Sequence, residues 1–228
     1  MTAKQVSVIF WIVSLAHLIA IVVGWLPGIA ATKPLLMPIL MWWFFQATAA
    51  NRTKPHKIFL AGLLFSWFGD LFLMFVSQNE LFFLAGLGSF LITHILYVIA
   101  FKNDSLQGSS PRILTRKPHL GSPLLLLFMA LMWVLFPNIP ADMKIPVIVY
   151  ASVITLMTLA ALNRHGRIGN NSFKLVLIGA VVFMLSDSTI AINKFIYDGE
   201  LWGASFVIML LYISGQSLIA KGLVNTTE

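Results

Sequence analysis

Two aspartates lie in stretches of sequence that are otherwise almost wholly apolar. The first run is Gly62-Leu-Leu-Phe-Ser-Trp-Phe-Gly-Asp70, and the second is Gly179-Ala-Val-Val-Phe-Met-Leu-Ser-Asp187. A carboxylate at the centre of a membrane helix costs a few kcal/mol, so it normally faces a bundle interior or a wet cavity and marks function. Two buried carboxyl groups that approach each other favour one protonated and one charged form, which is the arrangement that acid–base catalysis needs.

The composition is that of an integral membrane protein. Of the 228 residues, 59% are hydrophobic and only 10% are charged, whereas soluble domains carry about 25% charged residues. The net charge of +7 comes from residues in short loops, so membrane orientation explains it and we expect no nucleic-acid partner. The chain has no cysteine, which excludes disulfides, thiol catalysis and thiolate metal sites.

Apolar stretches of about 20 residues, the length that crosses a membrane, predict an all-α fold with eight transmembrane helices. We expect a single transmembrane domain over residues 1–228, with the first stretch retained as a span because it is too long for a signal peptide. Pro34 and Pro38 are expected in or near the start of the second helix, and seven spans result if that segment is re-entrant. The predicted spans are 5–26, 33–50, 57–77, 80–101, 119–136, 143–162, 174–196 and 201–221.

The basic residues predict the orientation of these spans. With eight helices, twelve of the fifteen Lys and Arg residues fall on the side of the termini, and Lys33, Lys144 and Lys194 fall opposite. The positive-inside rule therefore places both termini in the cytoplasm and suits a bacterial inner membrane. Each aspartate then lies about 13 residues, or about 20 Å, from the cytoplasmic start of its helix. The shared Gly-x7-Asp spacing, four helices apart, indicates a parallel 4+4 repeat.

Other polar side chains lie at membrane depth or at its outer border and accompany the aspartates. Ser66 precedes Asp70 by one helical turn, and Lys194 follows Asp187 by two turns on one helix face. Taken singly, such residues are also explained as helix-internal or interhelical hydrogen bonds, as interfacial anchors, or as structural ion pairs. Their joint presence favours a site, in which we predict catalytic Asp70, Asp187 and His94 and substrate-binding Lys33, Ser66, Tyr97, Ser186, Asn193, Lys194, Tyr212 and Gln216.

Searches for familiar catalytic motifs are negative. The chain has no G-x-S-x-G, H-E-x-x-H, G-x-x-x-x-G-K-[ST] or G-x-G-x-x-G sequence. Of its five histidines, only His94 is expected to lie deep beside the aspartates, so a three-histidine zinc site is not predicted. We therefore expect neither a metal nor an organic cofactor.

Five short motifs, in order, resemble those of the YhhN family, the bacterial relatives of the animal lysoplasmalogenases of the TMEM86 group. The resemblance runs from about residue 30 to 222, which is nearly the whole chain. The motifs are Lys33-Pro34-Leu-Leu-Met-Pro38, Phe65-Ser66-x-x-Gly69-Asp70, Gly86 with Phe90 and His94-x-x-Tyr97, Leu185-Ser186-Asp187 with Lys194-Phe195, and Tyr212-x3-Gln216.

The resemblance implies an eight-helix membrane enzyme that hydrolyses the vinyl ether bond of a lysophospholipid substrate, the lysoplasmalogens, without a cofactor. The products would be a fatty aldehyde and glycerophosphoethanolamine or glycerophosphocholine. Two alternatives remain open at this point. Buried acids in a parallel repeat also suit a proton-coupled transporter or another lipid-handling protein. The second alternative is a hydrolase that acts on a different lysolipid.

Overall fold

The computed structural model describes residues 1–105 and 110–225, and this part of the chain is helical and contains no strand. Eight of its helices are long and apolar enough to cross a membrane, so the prediction of an all-α polytopic membrane protein with eight spans is confirmed. The helices are α1 (Ala3–Val23), α2 (Leu26–Ala47), α3 (Lys54–Leu73), α4 (Leu81–Asp104), a short α5 (Ile113–Arg116), α6 (Ser122–Leu135), α7 (Lys144–Leu162), α8 (Asn170–Ile196) and α9 (Ala204–Val224). A 3-10 helix (Pro118–Gly121) leads directly into α6, and together they form the span Pro118–Leu135.

Large apolar side chains cover the outward faces of these helices. On α1, Trp11 and Ile12 are 52% and 62% exposed, while His17 and Phe10 are buried. A soluble protein rarely exposes a continuous apolar surface of this kind. In a bilayer the same surface faces lipid, which is the environment that the composition predicts.

The predicted start of the second helix at residue 33 is wrong, because α2 begins at Leu26. The turn between α1 and α2 contains only Gly24 and Trp25. Gly24 has φ 72° and donates its N–H to the carbonyl oxygens of Ala20 and Ile21, a left-handed helix end that favours glycine. Pro27 then occupies the first turn of α2, where its missing N–H costs nothing.

Pro34 and Pro38 consequently lie inside α2, and their predicted position near a helix start is also wrong. Pro38 has no N–H to donate to the carbonyl of Pro34, four residues earlier. The indole Nε1 of Trp67 on α3 donates to that carbonyl oxygen at 2.8 Å. Neighbouring helices commonly satisfy backbone groups that proline frees in a membrane helix, so α3 compensates the break in α2.

The chain divides into two compact units, residues 1–100 and 101–228, with the boundary inside α4. In the first unit, α1 packs against α2 and α2 against α3. Its aromatic core joins three helices: Phe59 of α3 lies 4.8 Å from Phe44 of α2 and 4.7 Å from Tyr97 of α4, between ring centroids. These contacts fix the rotation of α3, and thereby the face on which Asp70 lies.

In the second unit, α8 packs against α6, α7 and α9. The closest approach is between α8 and α9, where Gly179 faces Gly215. A Cβ on Gly179 would lie 2.8 Å from the carbonyl oxygen of Gly215, which no side chain can accommodate without a shift of backbone. The glycine of the second Gly-x7-Asp run therefore serves helix packing. The parallel repeat that this spacing indicates stays a prediction.

A fully buried arginine connects three helices at one end of the second unit. Arg164 follows α7, and its Nη2 lies 2.5 Å from Oδ2 of Asp104 at the end of α4. The same nitrogen donates to Ser172 Oγ at 3.0 Å, and Ser172 Oγ donates to the carbonyl oxygen of Gly222 at 2.6 Å. One guanidinium thus links α4, α8 and α9 at the predicted cytoplasmic side of the membrane.

Candidate active site

Asp70 lies in a buried polar cluster of the first unit. It is 3% exposed, 16 residues after the start of α3, and Ser66 one turn earlier is fully buried. The ring of Phe90 on α4 packs against Gly69, at 2.6 Å from where a Cβ would stand. The backbone beside Asp70 is therefore held tightly against α4, which gives the carboxylate a defined position.

Lys33 supplies a positive charge near Asp70. It is the eighth residue of α2, so its predicted place at the start of that helix is wrong and it lies well inside the span. Its ammonium lies within electrostatic range of the Asp70 carboxylate. A cation and a carboxylate in an apolar span stabilise each other, and the structure thus brings together two of the predicted site residues.

His94 and Tyr97 are fully buried on α4, one turn apart. The Tyr97 ring covers Gly62 of α3, and Thr93 Oγ1 donates to the Gly62 carbonyl oxygen at 3.1 Å. Gly62, the glycine of the first Gly-x7-Asp run, therefore lets the tyrosine approach α3 closely. These contacts place His94 and Tyr97 on faces of α4 that are covered by protein.

His17 also belongs to the first unit's polar residues. It is fully buried on α1, and its Nδ1 lies 2.8 Å from Thr32 Oγ1 of α2. It lies within electrostatic range of Lys33. His17 is buried because α1 packs its His17 face against α2, and that His94 alone lies deep beside the aspartates stays a prediction.

Asp187 of the second unit is held by a tyrosine that the sequence did not indicate. The hydroxyl of Tyr150 on α7 donates a hydrogen bond to Asp187 Oδ2 on α8. Asp187 is 8% exposed, and Tyr150 lies within electrostatic range of Tyr212 on α9. A hydroxyl that donates to a carboxylate makes a charge-assisted hydrogen bond, which fixes the orientation of the carboxyl group.

Three further predicted residues of the second unit are buried between α8 and α9. Ser186 Oγ donates to the carbonyl oxygen of Ile208 at 3.0 Å, an interhelical hydrogen bond. The Tyr212 ring meets Phe183 edge-on at 5.5 Å between centroids, and Gln216 is fully buried one turn along α9. Tyr212 and Gln216 thus share one buried face, as their spacing of four predicts.

Asn193 and Lys194 lie in the last turn of α8, further along the helix than Asp187. Asn193 Oδ1 accepts a hydrogen bond from the N–H of Leu201 at 2.9 Å, and its backbone oxygen accepts one from Gly199 at 2.8 Å. The Asn193 side chain therefore shapes the α8–α9 turn. Lys194 beside it is half-buried.

Within residues 1–105 and 110–225, no three His, Asp or Glu side chains come close enough to hold a metal ion together. The polar groups at membrane depth are instead carboxylates, hydroxyls, amides, imidazoles and ammonium groups. Such a set can donate and accept protons and hydrogen bonds without a metal.

The fold and these polar clusters define a polytopic helical membrane protein that buries one carboxylate inside the spans of each unit. The YhhN family model matches residues 28–223, so the chain belongs to the YhhN family and the resemblance found in its motifs is confirmed.

Mammalian lysoplasmalogenases are similar to this chain over most of their length. The chain is 30% identical over 216 residues to lysoplasmalogenase TMEM86A of Bos taurus and, equally, of Homo sapiens, covering 90% of this chain and 84% of each relative. It is 32% identical over 199 residues to lysoplasmalogenase TMEM86B of Sus scrofa, covering 86% and 75%. No solved structure matches the chain significantly.

Proposed function

We propose that this protein is a lysoplasmalogenase, a hydrolase that cleaves the vinyl ether bond of lysoplasmalogens. The observation that carries the proposal is the similarity, across 90% of the chain, to relatives named lysoplasmalogenase. The two buried aspartates support it, because acid–base hydrolysis needs proton donors and acceptors of this kind.

The chemistry explains why two acids suit this reaction. A proton delivered to the β-carbon of the vinyl ether gives an oxocarbenium ion, which water captures as a hemiacetal. The hemiacetal then collapses to a fatty aldehyde and the free glycerol hydroxyl. Glycosidases stabilise a similar cation with one carboxylic acid and one carboxylate. In our proposal Asp70 and Asp187 fill these two roles.

The remaining predicted residues assist in the same proposal. His94 takes part in proton transfer to or from the attacking water, and the hydroxyls and amides of its companions orient that water and the ether oxygen. Lys33 and Lys194 attract the phosphate of the headgroup as point charges. The companions are Ser66, Tyr97, Ser186, Asn193, Tyr212 and Gln216.

The cellular setting is part of the proposal. Twelve of the fifteen Lys and Arg residues fall on one side of an eight-span arrangement, which supports cytoplasmic termini. A bacterial inner membrane suits helical spans with this bias.

Fusions to alkaline phosphatase, which is active only outside the cytoplasm, test this orientation. Alkaline phosphatase fused after residue 225 should be inactive, and fused in the loop after Ser77 it should be active. The reverse pattern would overturn the orientation.

Aldehyde release tests the function itself. Pure protein in detergent should convert lysoplasmalogen to fatty aldehyde, measured by coupling to an aldehyde-dependent dehydrogenase. Saturated alkyl lysophospholipid and ester lysophospholipid serve as matched substrates that lack the vinyl ether. A transporter needs a sealed membrane and would release nothing. Release of fatty acid from the ester lipid, with no aldehyde from the vinyl ether, would instead indicate a different hydrolase.

Tyr150 provides a prediction about positioning. Tyr150→Phe removes the hydroxyl that donates to Asp187, and a hydrogen bond to a charged group contributes about 1.5–3 kcal/mol. We expect kcat to fall about 10- to 100-fold while KM changes less than about twofold, because the substrate still binds. Tyr197→Phe, at an exposed tyrosine, is the control. A purely structural Tyr150 would instead lower the melting temperature and leave kcat of the folded protein unchanged.

A further inference from the structure

His17 presents a hydrogen-bond acceptor inside the first unit. Thr32 Oγ1 lies 2.6 Å from the carbonyl oxygen of Gly28, four residues earlier in α2, and donates its one hydrogen there. It can therefore only accept from His17, so Nδ1 of the imidazole carries the hydrogen. In the neutral ring the other nitrogen, Nε2, then carries a lone pair.

Nε2 of His17 is buried and, among the residues that the structure describes, has no hydrogen-bond partner. Ser14 Oγ, three residues earlier on the same face of α1, shares this condition and is 2% exposed. Burying a polar group without a hydrogen-bond partner is energetically costly, so a native structure normally gives it one. Two such groups on one helix face leave hydrogen-bonding capacity that a ligand hydroxyl could satisfy.

The charged residues of the same unit suggest that the bound molecule is a lysolipid. Lys33 lies within electrostatic range of both His17 and Asp70. In a lysolipid, the free hydroxyl stands on the central glycerol carbon, between the carbon that bears the chain and the carbon that bears the phosphate. An acceptor for this hydroxyl belongs near the cation that binds the phosphate, and His17 contacts Thr32, which precedes Lys33 in α2.

We propose that His17 Nε2 accepts a hydrogen bond from the free sn-2 hydroxyl of the substrate, with Ser14 Oγ beside it, and so selects lysolipids. The inference rests on the proposed function and extends it to a residue of α1, outside residues 28–223 that the family model matches. A site that bonds a substrate hydroxyl discriminates against an analogue without it, since its own polar group is left unpaired. A lipid with an acyl ester at the sn-2 position also lacks a hydroxyl that could donate this hydrogen bond.

The test compares two substrates in wild type and variants. Wild type should prefer lysoplasmalogen over its 2-deoxy analogue by about 10- to 100-fold in kcat/KM, the range expected for leaving one buried polar group unpaired. His17→Phe should lose this factor on lysoplasmalogen and change less than about twofold on the 2-deoxy analogue. His17→Gln, whose amide oxygen can accept, should keep part of the preference. His119→Phe, at an exposed histidine, should behave as wild type.

The remaining outcomes distinguish failure of the His17 inference from failure of the proposed function. If His17→Phe slows both substrates equally, or neither, His17 is structural or binds water, and the inference is overturned while the function stands. If wild type releases no aldehyde from either substrate, the proposed function fails. In that case the thermal shift given by saturated alkyl lysophospholipid, compared with its 2-deoxy form, still tests His17. Equal shifts in wild type would overturn its role in hydroxyl recognition.

Discussion

Aldehyde release should fall about 10²- to 10⁴-fold when either Asp70 or Asp187 is replaced by Asn, the usual range for losing a general acid or base. Asparagine keeps the size of the side chain and its ability to form hydrogen bonds, so both variants should fold. It cannot deliver a proton or carry the charge that stabilises an oxocarbenium ion. The loss should therefore appear in kcat, measured with the pure protein in detergent.

The controls for this prediction separate chemistry from folding. Asp142→Asn, at an exposed loop aspartate, should retain wild-type turnover. The melting temperatures of the Asp70 and Asp187 variants should stay within a few degrees of wild type. If well-folded Asp70→Asn and Asp187→Asn both retain normal turnover, the two-acid mechanism is abandoned.

The double variant gives a further result. Groups that act in one chemical step are strongly non-additive, so removing the second costs little once the first is gone. Asp70→Asn combined with Asp187→Asn should therefore be about as slow as the slower single variant. Losses that multiply in full would mean that the two carboxylates act in separate steps.

The number and type of the helices could be predicted from sequence because apolar length is almost sufficient to define a membrane span. The start of α2 could not be placed on that basis. The sequence predicts Pro34 and Pro38 in or near a helix start, where proline is tolerated. In the structure both lie inside α2, and Trp67 of another helix donates to the backbone oxygen that Pro38 leaves free. The compensation depends on a tertiary contact, and no local pattern in α2 encodes it. The Gly24 turn, with Pro27 three residues later, was the local signal that indicated the true boundary.

Some residues of the candidate site could likewise be predicted from the sequence, and others could not. Asp70 and Asp187 stand out in the sequence because their cost in an apolar span is large and independent of context. His17 contributes only because its face of α1 packs against α2. Tyr150 contributes only because its face of α7 packs against α8. Spacing along one helix predicts which residues share a face, but not which helix that face meets. Both residues fell inside predicted spans, so polarity at depth was the available signal for each.

Arg164 has a structural role that the sequence does not predict. In the sequence it counts only as one of the basic residues that indicate the cytoplasmic side of the membrane. Its side chain is fully buried, and burial lowers its pKa, which the Asp104 carboxylate offsets only in part. The guanidinium donates to Asp104 and to Ser172. Breaking a buried ion pair by removing one partner costs about 3–5 kcal/mol, because the other charge is left uncompensated.

Arg164→Met should therefore lower the free energy of unfolding by about 3–5 kcal/mol, measured by denaturation in mild detergent. Methionine fills much of the same volume, so the loss reflects the charge and hydrogen bonds of the guanidinium. Arg116→Met, at an exposed arginine, should change stability by less than about 0.5 kcal/mol. Adding Asp104→Leu to Arg164→Met should recover part of the loss, since no buried charge then remains unpaired. A double variant less stable than Arg164→Met would show that Asp104 stabilises the unit through other contacts.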